Sequence, residues 1–320
     1  ILAKSALLAG AAGYAARRFN RVSVALLAAV VYWRAGGPWL FTIVASGAIA
    51  ATLHECCKLV EKCGAPALPK TTALLGGLLF LGYLAARTLL NIGQVEMAQL
   101  LMKFEFLLLV FTVFSGWFLV LFGRERRKEL LLRAAASLGV LVLIGSSMFA
   151  VVSVYFNRTV PLGPVPLNIG ARQLLFLILV TKAMDTGGYI FGMLSGRWMK
   201  NGNHKICPSI SPKKSWEGTV GGLLFSVGVS LIFWKIYAEA PFCRMPFQNL
   251  GTSIWWYITA GVVLGIGSLA GDLTESALKR SAGVKDSGAI IPGMGGVFDV
   301  LDSFIYNGAL FIVLGMWKIN

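Results

Sequence analysis

The sequence predicts an all-α, polytopic integral membrane protein, and three observations carry that prediction. Hydrophobic residues fill 57% of the 320 positions, charged residues only 13%, and mean hydropathy is +0.74. No single soluble core absorbs so much apolar side chain. The apolar residues fall in runs long enough to cross about 30 Å of hydrocarbon. Basic residues gather in alternate connections, as topology requires.

Taken in order, the runs lie at 22–36, 38–57, 71–90, 98–122, 131–156, 171–194, 218–237, 252–271 and 300–317, which makes about nine transmembrane helices. Residues 1–16 are short and rich in Gly and Ala, and read as a weak or truncated membrane-contacting helix. With Arg17, Arg18 and Arg21 on the cytoplasmic side, the inner connections are 17–21, 58–70, 123–133, 195–217 and 272–299. They hold 19 of the 29 Lys and Arg, whereas the outer connection 91–97 holds none. The net charge of +15 therefore follows membrane topology. Nucleic acid is not an expected partner, because no basic patch interleaved with aromatics is present.

Residues 1–169 carry no strong chemical motif and read as membrane scaffold. Small residues such as Gly76, Gly77 and Ala134–Ala136 permit close helix packing there. Arg34, Arg87, Lys103 and Glu105 sit near span ends, where long side chains reach the interface. Glu55 lies near the cytoplasmic end of its span, as a contact to another span, a headgroup ligand or a plain interfacial carboxylate. Pro161, Pro164 and Pro166 mark an outer loop. Five cysteines without regular spacing do not make a disulfide framework. His54 with Cys56 and Cys57, or His204 with Cys207, is at most half of a metal site, since neither has a second half at zinc-like spacing.

From residue 170 the character changes, and 170–320 reads as the catalytic membrane domain. All five aspartates, Asp185, Asp272, Asp286, Asp299 and Asp302, lie there. Lys182 and Asp185 interrupt an apolar span, which costs on the order of 3 kcal/mol per charge at mid-membrane, so both are expected to face the protein interior. Ser211-Pro-Lys-Lys214-Ser215-Trp216-Glu-Gly218 offers hydroxyls and cations suited to phosphate, but it lacks the glycines of a Walker loop. In the stretch from Gly271 to Asp302, helical spacing puts Asp272, Glu275, Ser276 and Lys279 on one face, and Asp299 and Asp302 on one face of the next segment.

The order Ser276-x-x-Lys279-Arg280, Lys285-Asp286-Ser-Gly, Ile291-Pro-Gly-Met-Gly-Gly296 and Asp299-x-x-Asp302 closely resembles the signature of the phosphatidate cytidylyltransferases, or CDP-diacylglycerol synthases. Asp185-Thr-Gly-Gly-Tyr and the Ser211–Gly218 element resemble two further motifs of that family. Met294 stands where the family usually has His, and Val300 where it has Arg. The resemblance implies cytidylyl transfer from CTP to phosphatidate, a homodimer, and an active site on the cytoplasmic face of the bacterial inner membrane. It implies magnesium as cofactor and leaves room for a second, monovalent cation. On this reading Asp272, Asp299 and Asp302 hold the metal, and Asp272, Lys285, Asp286 and Asp299 are catalytic. Asp185, Ser211, Lys214, Ser276, Lys279 and Arg280 bind substrate. The rival readings are another CTP-dependent lipid enzyme, such as a polyprenol or phytol kinase, and a transporter using Lys182 and Asp185. A transporter calls for internal repeats, and no repeat is visible.

Overall fold

The computed structural model describes residues 36–122, 127–156, 159–160, 167–198, 204–239, 253–291 and 295–316. In chain order the elements are α1 (Gly37–Lys62), α2 (Pro69–Asn91), α3 (Val95–Phe122), α4 (Arg127–Tyr155), the two-residue strands β1 (Thr159–Val160) and β2 (Leu167–Asn168), and α5 (Ile169–Trp198). There follow β3 (Lys205–Cys207), β4 (Ser211–Ser215), α6 (Trp216–Glu239), α7 (Ile254–Ser281), the single turn α8 (Phe298–Leu301) and α9 (Phe304–Met316).

Among the described residues, eight helices are long and apolar enough to cross a membrane, the last of them formed by α8 and α9 together. The protein is an integral membrane protein and nearly all helical. Eight of the nine expected spans coincide with these helices. The expected span at 22–36 lies almost wholly outside the described residues, as do 1–16, Arg34, the Pro161–Pro166 loop, Cys243 and Met294. Two differences from the sequence reading matter for the site. First, α7 runs on to Ser281, so Asp272 to Arg280 form a helical extension of the span. Second, Ser211–Ser215 is a strand, paired antiparallel with β3 through Lys205↔Ser215 and Cys207↔Ser211. The backbone of so polar a segment satisfies its hydrogen bonds locally, in a short hairpin.

The chain divides into two compact units, Ile1–Gly145 with Ser281–Leu301, and Ser146–Arg280 with Asp302–Asn320. In the first, α1 and α2 meet where Gly77 lies against Ala50 and the hydroxyls of Thr42 and Thr88 bond at 3.0 Å. The backbone N–H of Leu68 donates to Ser137 Oγ of α4 at 2.9 Å. Each contact joins helices that hydrocarbon alone would not drive together.

In the second unit, Phe176 is fully buried. It packs on the rings of Phe233, Trp256, Tyr257 and Phe311 at 5.3–5.9 Å between centroids. Polar ties cross the same bundle: Asn307 Nδ2 donates to Thr181 Oγ1 at 2.8 Å and to the carbonyl of Leu264 at 2.9 Å, and Ser230 Oγ donates to the carbonyl of Tyr257 at 2.7 Å. The approach of α5 to α6 depends on Gly222, where an added Cβ would stand 2.7 Å from the Met184 carbonyl and 3.1 Å from the Gly188 nitrogen.

Backbone atoms cannot yield as a side chain can, so Gly222→Ala is expected to destabilise by about 1–3 kcal/mol. An added Cβ at Gly47 meets nothing within 4 Å, and Gly47→Ala is expected to leave stability unchanged. Thermal unfolding in detergent distinguishes them, and equal midpoints for the two variants would contradict the packing described.

Candidate active site

The site of the second unit begins with α7. Because the helix continues past the apolar run, Asp272 and Glu275 fall one turn apart, and Glu275 is only 2% exposed. Asp302 joins them because Gly271 has no side chain: a Cβ there would collide with the backbone carbonyl of Asp302. Oxygens of Asp272, Glu275 and Asp302 all lie within 4.8 Å of one another. Three carboxylates so close, two of them buried, repel one another unless cations intervene.

Three lysines from three different elements supply the positive charge. Lys214 of β4 places Nζ 2.7 Å from Asp272 Oδ2, an ion pair whose angles fall short of hydrogen-bond geometry. Lys279 Nζ stands 2.6 Å from Glu275 Oε1, one turn along α7. Lys182 of α5 lies 4.0 Å from Asp302 Oδ1 and 3.0 Å from Asp185 Oδ2, and it donates to Ser303 Oγ at 2.6 Å. Asp185 is held in turn by Ser268 Oγ, which donates to its Oδ1 at 2.9 Å. Asp302 Oδ1 accepts from the N–H of Ser303 at 2.5 Å. The expectation that Lys182 and Asp185 turn inward is met by this network.

The hairpin and α6 complete the surround. Ser215 ends β4 and caps α6, its Oγ accepting from the N–H of Gly218 at 3.1 Å, the usual role of a serine before a first turn. His204 Nδ1 and Glu217 Oε1 lie 2.6 Å apart, and the N–H of Trp216 donates to the carbonyl of His204 at 2.9 Å. Arg280 Nε donates to the carbonyl of Ile210 at 3.3 Å, tying the end of α7 to the hairpin turn. A cleft of about 200 Å³ opens between these elements, lined among others by Asp185, Tyr189, Lys213, Lys214, Ser215 and Asp272. Ser276 is one turn from Asp272, with Oγ 3.4 Å from Oδ1, and Ser211 opens β4.

The other residues marked by the sequence lie in the first unit. Lys285 and Asp286 are exposed on the loop after α7. Asp299 is turned to that loop, its Oδ2 accepting from the N–H of Gly296 at 2.7 Å and of Ser287 at 3.1 Å. Glu55 of α1 holds the same loop. Within the second unit the structure thus brings together Asp272, Asp302, Lys214, Lys279 and Asp185, and adds Glu275 and Lys182; within the first it sets Glu55 against the loop that Asp299 holds. For Glu275 the signal was present, three residues from Asp272 on one helical face. For Glu55 no local signal exists, because its partners are 232 to 243 residues away.

The cytidylyltransferase family model matches residues 17–317. The chain belongs to that family. Relatives named phosphatidate cytidylyltransferase align over 137 residues, at 42% identity in Staphylococcus epidermidis, 40% in Staphylococcus haemolyticus and 36% in Staphylococcus aureus. Each alignment covers 43% of this chain and 46% of the relative, so it spans about half of the relatives' length. The carboxylate triad has the all-oxygen donor set that suits a hard divalent cation better than zinc or copper, and it can hold a metal ion.

If Lys182 neutralises Asp185 and Asp302 jointly, Lys182→Met leaves two partly buried carboxylates facing each other and lowers the thermal midpoint. Adding Asp185→Asn is expected to recover part of the loss, with a coupling of about 0.5–3 kcal/mol in the double-mutant cycle. Strictly additive losses would show that the lysine serves neither acid.

Proposed function

We propose that this protein transfers the cytidylyl group of CTP to phosphatidate, giving CDP-diacylglycerol and pyrophosphate. The observation that carries the proposal is the triad Asp272, Glu275 and Asp302, matched by Lys182, Lys214 and Lys279 beside a cleft. Membership of the family and the names of the relatives support it.

The chemistry asks for such a site. A phosphate monoester oxygen attacks the α-phosphorus of CTP, and this nucleophile is already anionic. A strong general base is unnecessary, and the obstacle is repulsion among phosphates. Lys214 lines the cleft and Lys279 stands on the face of α7 that carries the acids; each is able to exchange a carboxylate partner for a phosphate oxygen, and Arg280 adds a guanidinium at the same helix end. Magnesium, held by Asp272, Glu275 and Asp302, would neutralise phosphate charge and stabilise the leaving pyrophosphate. Ser211, Ser215 and Ser276 offer hydroxyl donors to the same anions. Lys285 keeps the phosphate-donor role, and Lys285, Asp286 and Asp299 the catalytic role, that the resemblance implies for the signature loop, while in the proposed metal set Glu275 takes the place expected for Asp299, whose carboxylate accepts from the N–H groups of Ser287 and Gly296. In this reading residues 170–320 carry most of the chemistry, the active form is a homodimer, and the site faces the cytoplasm.

Purified protein given labelled CTP, phosphatidate and magnesium, with dolichol and phytol as competing acceptors, is expected to form only CDP-diacylglycerol. A phosphorylated alcohol as product would assign the chain to the CTP-dependent kinases instead. Lys214→Ala is expected to lower kcat/KM by about tenfold to a hundredfold, the worth of one charged hydrogen bond at about 1.5–3 kcal/mol. Unchanged kinetics would remove Lys214 from the substrate contacts.

Topology is tested separately. With the chain's own cysteines replaced, a cysteine at Ser209 or Ser287 should react with an impermeant thiol reagent only from the cytoplasmic side, and one at Gly93 only from outside. Labelling of Ser209 and Ser287 from opposite sides would overturn the assignment.

A further inference from the structure

Glu55 sits in α1, within the part of the chain that carries no motif, yet it is only 2% exposed. Its carboxylate faces the signature loop. Oε2 accepts from Ser287 Oγ at 3.0 Å and from the N–H of Phe298 at 2.8 Å, and Oε1 accepts from the N–H of Val297 at 3.2 Å. Asp299 grips the same loop from within, through the N–H groups of Ser287 and Gly296. Three consecutive backbone donors, Gly296, Val297 and Phe298, thus end on carboxylates, and Ser287 is held twice, by its N–H and by its hydroxyl.

The loop is shaped around the Glu55 carboxylate. A Cβ at Gly288 or at Gly296 would collide with it, and Gly295 takes φ +96°, a conformation that L side chains rarely adopt. A helix start needs only a local serine or aspartate as cap. Here the free N–H groups of α8 are served by a buried acid from the far end of the sequence, and a buried carboxylate is costly unless donors surround it. So demanding an arrangement does more than cap one turn: it sets where the segment bearing Lys285, Asp286 and Asp299 stands.

We infer that Glu55 is a positioning residue for the catalytic loop, holding Ser287 and the Gly296–Phe298 backbone in the arrangement that presents Lys285 and Asp299 for reaction. Its effect on catalysis rests on the cytidylyl-transfer reading, but its effect on the loop does not. The test uses the full chain in detergent with Glu55→Gln, Glu55→Asp and Ser287→Ala. In Glu55→Gln an amide NH2 replaces one acceptor and confronts N–H or O–H donors. Its kcat is expected to fall about tenfold to a hundredfold. Glu55→Asp, which keeps both acceptor oxygens, should recover part of that loss.

Hydrogen exchange supplies the independent readout. Amides of 287–291 and 295–298 should exchange about tenfold faster in Glu55→Gln, while those of α2 remain as in the wild type. Unchanged exchange in the loop would overturn the inference, and so would an unchanged kcat or a kcat loss shared equally by Glu55→Asp. Should Glu55→Gln fail to fold, Ser287→Ala removes one donor without burying an unmatched group. Faster loop exchange with lower kcat in that variant supports the inference, and wild-type values of both overturn it. A wild-type protein inactive with CTP and phosphatidate would defeat the proposed function, while loop exchange would still decide whether Glu55 holds the loop.

Discussion

Three carboxylates gathered at the ends of apolar helices are the constraint on which the second unit depends. Asp272, Glu275 and Asp302 stand close enough to share one cation, and such a group in a partly dehydrated place is untenable without compensating charge. Several features of the unit can be read as answers to that demand. The span of α7 runs past the apolar run to present two acids and Lys279 on one face. Gly271 lets the Asp302 backbone come against the helix. The β3–β4 hairpin delivers Lys214 to Asp272, and α5 accepts a lysine and an aspartate within its apolar sequence. Removing any one cation leaves an acid whose desolvation is no longer offset.

The first unit solves a related problem with the opposite means. Its loop donors are neutral N–H and O–H groups, and the acceptors are the carboxylates of Glu55 and Asp299. A loop rich in glycine has little intrinsic preference for one conformation, so its shape must be imposed by partners. The loop is anchored on α1, which in turn packs on α2 through small residues and paired hydroxyls, since apolar surface in lipid supplies no drive for helices to associate.

Much of the fold was legible in the sequence because hydropathy and length decide membrane spans almost alone. The hairpin was not, since strands of three and five residues with Pro212, Lys213 and Lys214 carry no alternation to read. At the site, helical spacing correctly grouped Asp272, Glu275, Ser276 and Lys279, because those residues do lie on one helix. The association of Asp302 with Glu275 depends on the clearance at Gly271, and this is a matter of three-dimensional approach rather than of period. Glu55 was visible only as an interfacial acid with open alternatives. A contact across more than 230 residues leaves no trace in local pattern.

The triad is proposed as a single divalent-cation site, and binding of the ion itself tests this most directly. Mn²⁺ titrated into purified protein without nucleotide can be followed by the electron paramagnetic resonance signal of the free ion. The account predicts saturable binding in the wild type, weakened about tenfold or more by each of Asp272→Asn, Glu275→Gln and Asp302→Asn, by analogy with the loss of one charged contact. Equal Mn²⁺ affinity in the wild type and in all three variants would contradict it.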